Sequence, residues 1–236
     1  MIFAPKGLQG RRQVHKSIVR KALAIYGTGG FARELHWLVS RTSDFQATAF
    51  VDDAPSAAAT FLDCPVQTFE DFLANPAGKI NRISIGIGNP AVRELLHNKC
   101  TESGLELPVL IDPTTSLSDT VVLNAGAVVC AGTVLTVDID IAQGVQINLN
   151  CTVGHDCKIG AFTTLSPGVN VSGNVFIGER VFIGTGASII NGSEDQPLRI
   201  GDDVVIAAGA CVTRSLEPGY LYAGVPAQQK KRLTPD

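Results

Sequence analysis

The chain is short of the features that most often announce a function. Of its 236 residues only 6% are aromatic and 17% charged, with one Trp and one Met. Nineteen Lys and Arg face 22 Asp and Glu, a net charge of -3. That balance excludes the basic surface of a nucleic-acid or anionic-membrane binder. No apolar run reaches membrane-spanning length. None of the six cysteines forms a CxxC pair or stands at zinc-finger spacing from a histidine, so no metal site is expected. A chain this size folds without disulfides, and the thiols read as reduced in a cytoplasmic protein. The first 20 residues carry Lys6, Arg11, Arg12, Lys16 and Arg20 without an apolar core, which excludes a signal peptide and predicts a flexible basic extension.

What is present is 45% hydrophobic residues and 24 glycines, a mix suited to close-packed β structure with many tight turns. The two halves follow different rules. In residues 21–112, short apolar strands alternate with helical spacing. Strands are predicted over Ala22–Tyr26, Ala47–Val51, Arg82–Ile87 and Leu107–Ile111, and helices over Phe31–Arg41 and Ala91–Lys99, the second opened by Pro90. This β-α-β order predicts a small parallel sheet of Rossmann type. Gly27, Gly29 and Gly30 follow the first strand where backbone N–H groups at a helix N-terminus suit a phosphate. The full GxGxxG pattern is not met, since Ala32 holds its last position.

From residue 113 the period is six. Leu117, Leu123, Val129, Leu135, Ile141, Ile147, Val153, Ile159, Leu165, Val171, Ile177, Ile183 and Ile189 are all aliphatic, and the rhythm resumes at Ile200, Ile206 and Val212 after a break near Asn191 to Leu198. Were a third of residues aliphatic, such a run would arise about once in a million registers. Period six is neither helical nor that of a simple strand. It fits a prism with three short strands per 18-residue coil, coils stacking at roughly 4.8 Å. The aliphatic residue points inward, and so does a small residue four positions later. This pattern resembles the hexapeptide-repeat acyltransferases, which implies a left-handed parallel β-helix over residues 113–236 and a homotrimer with active sites between subunits.

The prism carries one histidine, His155, two residues after the inward Val153 and therefore turned outward. Its neighbour Asp156 is placed to hold the ring in one tautomer. Acyl transfer from a thioester needs a base for the attacking amine or hydroxyl and an aimed donor for the oxyanion. The leaving thiol has a pKa of roughly 8.5 and departs without strong acid help. One His, one carboxylate and one backbone N–H suffice. His36 and His97 fall in predicted helices and read as packing residues.

The stretch 154–160 (GHDCKIG), with LSPG at 165–168, GNV at 173–175 and AGVPA at 223–227, resembles the NeuD/PglD-type sugar acyltransferases. The likeness runs from about residue 21 to 229. It implies His155 as general base, Asp156 as its partner and Gly173 N–H as the oxyanion donor. It implies that Thr164, Gly173, Thr185 and Ala208 line an acetyl-CoA channel and that Asn148 approaches the sugar. Gly27, Gly29, Gly30, Asp52, Asp53, Gly88 and Asn89 match the family's nucleotide-sugar pocket, with Phe31 where relatives often carry histidine. The reaction so implied is N-acetylation, by acetyl-CoA, of a nucleotide-linked 4-amino-4,6-dideoxy sugar. O-acetylation of a sialic-acid-like sugar is the alternative, because the GGFARE version at 29–34 also occurs in that group. A non-catalytic nucleotide-sugar-binding scaffold is the alternative of another class.

Overall fold

A computed structural model describes residues 20–53, 60–74 and 80–233. Apart from Arg20, the expected basic extension lies outside the described residues. β1 (Lys21–Tyr26) is an inner strand of a mainly parallel sheet, and its Leu23, Ala24 and Ile25 are fully buried, as a strand covered on both faces requires. The chain crosses through α1 (Gly30–Arg41) to β2 (Phe45–Val51), which pairs beside β1. α1 turns Ala32, Leu35, Leu38 and Val39 inward at helical spacing. A small antiparallel hairpin, β3 (Thr60–Phe61) and β4 (Cys64–Gln67), extends the sheet past β2. α2 (Phe69–Ala74) leads back towards β5 (Ile83–Ile85), which pairs with the other side of β1. α3 (Pro90–Glu102) follows; Asn89 caps it by accepting from Val92 N–H at 3.2 Å, and Pro90 sits in its first turn. The order β3-β4-β2-β1-β5 gathers the loops after β1, β2 and β5 at one sheet edge, beside the point where strand order reverses.

Two expectations are corrected. The strand expected over Arg82–Ile87 is only Ile83–Ile85. Gly86 ends it because the backbone there runs against α1: a Cβ on Gly86 would lie 2.7 Å from Ala32 Cα. The strand expected over Leu107–Ile111 shortens to Leu110–Ile111 and leaves the first sheet altogether. It pairs with Val128–Val129 as the first rung of the second half.

That second half is a three-faced coil of parallel strands two to four residues long. Face one stacks Leu110–Ile111, Val128–Val129, Gln146–Ile147, Thr164–Leu165, Phe182–Ile183, Val205–Ile206 and Tyr220–Ala223, closed by the antiparallel Gln228–Arg232. Face two runs from Ser116–Leu117 to Cys211–Val212, and face three from Val122–Leu123 to Leu198–Ile200. Partners are 18 residues apart, as in Val153 with Val171. The sixth-residue aliphatics form one core, buried throughout from Val129 to Val212. Leu117 remains 39% exposed because no coil lies beneath it. The smaller inward residues are satisfied too. Thr133, Cys151, Cys157 and Thr163 each donate to the carbonyl fifteen residues on, those of Asn148, Ser166, Ser172 and Gly178.

The corners obey their own rule. Every sixth residue from Gly126 to Gly186 has a positive φ, and most of these are Gly, Asn or Asp. These residues enter the left-handed region most readily. The two exceptions, Phe162 and Arg180, stand on one corner and are held by contacts with α3. Phe162 meets His97 edge-on at 5.2 Å, and Arg180 pairs with Asp203 at 2.7 Å and Glu94 at 3.5 Å.

The first domain packs on face one and the corners flanking it. On one side Leu38 shares a core with Val128 and Cys130. On the other, α3 lies over the corner of Gly144, Phe162 and Arg180. Arg41 at the end of α1 clips onto Asp112, donating from Nε at 2.7 Å and Nη2 at 3.1 Å. The remaining corner, between faces two and three, is turned away from the first domain.

Candidate active site and nucleotide pocket

His155 stands on that far corner. Its Nδ1 lies 2.7 Å from Asp156 Oδ2, and both side chains are 56% exposed. Asp156 is itself a corner residue, φ 56°, a conformation that Asp tolerates. A carboxylate on Nδ1 selects the tautomer with Nδ1–H as donor and leaves the Nε2 lone pair to accept a proton. Gly173, one coil on, supplies the room for the ring. A Cβ there would sit 2.4 Å from His155 Nε2 and 2.6 Å from Cε1. Gly154 packs as closely: its Cβ would lie 2.6 Å from Gly173 N. Two glycines thus let successive coils touch with the imidazole laid over the second. His155, Asp156 and Gly173 are therefore brought together on one corner.

The six-residue rhythm breaks on the same corner. The loop between Ile189 and Leu198 leaves directly above Gly173, with Gly192 N–H on Gly173 O at 3.0 Å and Leu198 N–H on Asn174 O at 3.0 Å. Glu194 of this loop and Asp156 line one cavity of about 370 Å³, with Asp138, Asp140, Lys158 and Phe176. The cavity and Glu194's part in it had no signal in the sequence beyond the broken period. Cys157, two residues from His155, is no nucleophile: burial pushes its thiol pKa up, and Sγ donates to Ser172 O at 3.2 Å.

The second cluster lies at the edge of the parallel sheet. Gly27 has φ +101°, and a Cβ there would meet Ile87 Cδ1 at 2.8 Å. Gly29 caps α1 without a side-chain bond, and beside both Gly29 and Gly30 the space is open. Phe31, in the first turn of α1, is half-buried. Thr28 Oγ1 donates to Asp52 Oδ2 at 2.6 Å, a contact that sequence reasoning missed. Asp53 is engaged on both oxygens: Oδ1 accepts from Phe69 N–H, and Oδ2 from Tyr26 Oη at 2.6 Å and Lys99 Nζ at 2.9 Å. Burial works to raise the Asp53 pKa, but these donors outweigh it and hold the carboxyl below its ordinary range. Burial, then donation to Asp53, pushes the Tyr26 phenol up. Asp53 thus braces β1, α2 and α3. Gly88 and Asn89 sit on the same edge, with Asn89 Oδ1 committed to the cap of α3.

Two expected site residues are placed elsewhere. Thr164, expected beside the coenzyme, is only 2% exposed; its hydroxyl donates to Gly88 O at 3.2 Å and accepts from Arg93 Nη2 at 2.8 Å. It belongs to the domain junction, its hydroxyl committed on both sides. Asn148, expected near the sugar, is buried and donates from Nδ2 to Leu165 O at 2.9 Å. Thr185 and Ala208 are exposed, stacked one coil apart on the corner between faces one and two. Within one chain that is not the corner of His155. Among the described residues no three His, Cys, Asp or Glu side chains gather as a metal site, and no helix is long and apolar enough to cross a membrane.

The residue that sequence reasoning missed most completely is Arg93, 1% exposed in α3. Burial pulls its guanidinium pKa down to about 9, which leaves it charged at neutral pH. It bonds to the prism and to the Ile87–Gly88 turn together.

No curated protein matches the chain. Residues 22–100 match the PglD N-terminal domain. Among solved structures, WeeI from Acinetobacter baumannii AYE is 33% identical, with 89% of this chain and 100% of WeeI covered at a TM-score of 0.82. A perosamine N-acetyltransferase from Caulobacter crescentus, solved with CoA and GDP-perosamine, is 31% identical over 89% of this chain and 97% of its own, TM-score 0.83. The acetyltransferase domain of PglB from Neisseria gonorrhoeae FA1090 is 29% identical over 89% of this chain and 100% of its own, TM-score 0.79. With a nucleotide-type sheet edge, a hexapeptide prism and a relative a third identical along its whole length, the chain belongs to the NeuD/PglD-type sugar acetyltransferase family.

Proposed function

We propose that this protein transfers an acetyl group from acetyl-CoA to the amino group of a nucleotide-linked 4-amino-4,6-dideoxy sugar. The observation that carries the reading is the His155–Asp156 pair laid over Gly173, one coil below the loop that breaks the repeat. The neutral sugar amine attacks the thioester carbonyl carbon as His155 Nε2 takes its proton. Gly173 N–H faces the oxyanion. Collapse breaks the carbon–sulfur bond, and the CoA thiolate recovers the proton from the imidazolium. Asp156 stabilises that imidazolium and keeps Nδ1 as a donor. Support comes from the relative solved with CoA and GDP-perosamine.

The working unit is a homotrimer with each site between two subunits. In one chain His155 is on the corner remote from the first domain, and Thr185 and Ala208 occupy another corner. A neighbouring copy brings its nucleotide pocket and its Thr185–Ala208 ridge to the His155 corner.

The test is thiol release from acetyl-CoA with UDP-, GDP- and dTDP-linked 4-amino sugars and with free sialic acid as the control. Release with one nucleotide-linked amine is expected. Release with sialic acid alone moves the reaction to O-acetylation. Silence across the panel from a folded protein leaves a binding scaffold.

A further inference from the structure

Among the described residues Arg93 is the largest fully buried side chain, and none of its partners there is a carboxylate. A guanidinium in that position is costly unless every N–H is met. Here each one is. Nε donates to Gly144 O at 2.7 Å, and Nη2 to Phe162 O and to Thr164 Oγ1 at 2.8 Å. Nη1 is shared among Ile87 O at 3.1 Å, Gly88 O at 3.0 Å and Gln146 Oε1 at 3.1 Å. The acceptors come from two successive corners and two successive rungs of the prism, and from the turn after β5. Two further bonds cross at the same place, Thr164 Oγ1 to Gly88 O at 3.2 Å and Gln146 Nε2 to Ile85 O at 3.0 Å.

Apolar packing would join two domains at lower cost. A fully satisfied polar network instead selects one geometry. In a planar trans peptide, C=O and N–H point in opposite directions. With Ile87 O and Gly88 O turned to Arg93, the N–H groups of Gly88 and Asn89 are turned the other way, and neither donates to any group among the described residues. Both belong to the turn at the sheet edge that carries Gly27 and Asp52.

We propose that Arg93 is a positioning residue for the acceptor: by holding both carbonyls of the Ile87–Asn89 turn against the prism, it aims two free backbone donors at the nucleotide-sugar. The proposal rests on the reading of the sheet edge as the nucleotide-sugar pocket. Arg93 touches no substrate and acts through the turn.

The test uses two variants of the full chain. Arg93→Lys keeps the charge and loses the fork, while Thr164→Val removes one hydroxyl from the same network. Acceptor KM is measured with GDP-perosamine, or with whichever of the UDP- and dTDP-linked 4-amino sugars the unaltered protein acetylates, and acetyl-CoA KM alongside. A lost aimed hydrogen bond predicts an acceptor KM raised about tenfold in each variant, with acetyl-CoA KM within twofold. Folded variants with unaltered acceptor KM overturn the proposal, as does a parallel rise in both KM values, which marks a general loosening. If Arg93→Lys does not fold, Thr164→Val alone decides. Unaltered protein that acetylates none of these acceptors removes the pocket itself and the positioning role with it. Turnover with unaffected variants removes the positioning role alone.

Discussion

Replacing Gly173 with alanine puts a methyl group where the His155 ring now lies. The Cβ would stand 2.4, 2.6 and 2.8 Å from ring atoms Nε2, Cε1 and Cδ2. Carbon contacts settle at about 3.5 Å, so the ring must retreat by roughly 1 Å. The backbone cannot yield in its place, because Gly154 is already pressed against Gly173 N. Retreat of the ring strains the 2.7 Å bond to Asp156 and, on the proposed mechanism, moves Nε2 off the attacking amine. A misplacement of that size costs about 10²-fold in rate, roughly 2.7 kcal/mol of barrier. Gly173 has no positive φ, so the alanine itself is unstrained and the fold is kept. The assay is kcat for thiol release, with the thermal midpoint as control. His155→Ala is expected to lose on the order of 10²–10⁴ in kcat. Adding Gly173→Ala to it should cost little more, since both act on one ring. Wild-type kcat in a folded Gly173→Ala protein, or losses that multiply in the double variant, would refute the idea that the glycine exists to seat the imidazole.

Three further outcomes are expected. Co-folding equal amounts of His155→Ala and Gly30→Asp, each inactive alone, should restore about a quarter of wild-type activity if neighbouring subunits share a site; if each chain works alone, none returns. Asp112→Asn should lower stability by about 2 kcal/mol at neutral pH, read from denaturant midpoints. Burial works to raise the Asp112 pKa, but Arg41 and Thr114 outweigh it and hold the carboxyl below its ordinary range. A depressed folded pKa gives stability that is present above the unfolded value and lost as pH falls. The gap between Asp112→Asn and wild type should therefore close below about pH 4 and stay open at pH 7. Gly186→Ala and Gly144→Ala separate two costs at corners of nearly equal φ. The first has open space and should lose about 1 kcal/mol from conformation alone. The second drives its Cβ to 2.5 Å from Phe162 and should lose a further 1–3 kcal/mol; equal losses would deny the overpacking.

The period of six was legible because burial enforces it: a polar residue at one of the sixth-residue positions would leave the stacked core with a gap or an unpaired group. The same alternation was available at the corners, where Gly126, Gly132, Asp138, Gly144, Asn150 and Asp156 stand six apart, though only the structure ties that spacing to positive φ. His155 was legible since its register turns it outward, while Gly173 was implied only by the family resemblance, and the structure adds that it stacks one coil on. Arg93 was not. In sequence it is one more basic residue on an amphipathic helix, and only a tertiary partner one coil deep in another domain explains why it is buried. Thr164 misled for the same reason: its outward register on the prism is open to solvent only where no domain covers that face. Asp53, expected in the nucleotide-sugar pocket, is claimed instead by Tyr26 and Lys99, the second far away in sequence.

Strand pairing proceeds in steps of 18 until Ile177, whose partner is Ile200. Above the break the inward register is the same as below, since Ile189 still meets Val212 and Ile183 meets Ile206. Extra chain has left the ladder at one corner and rejoined it without disturbing a rung. Chain length at that point is decoupled from the folded core, and the point lies beside His155. On the proposed mechanism, a longer or shorter segment would alter what meets the acyl group without moving His155. The place at which the repeat is interrupted thus leaves both the stacked core and the His155–Asp156 pair independent of the segment's length.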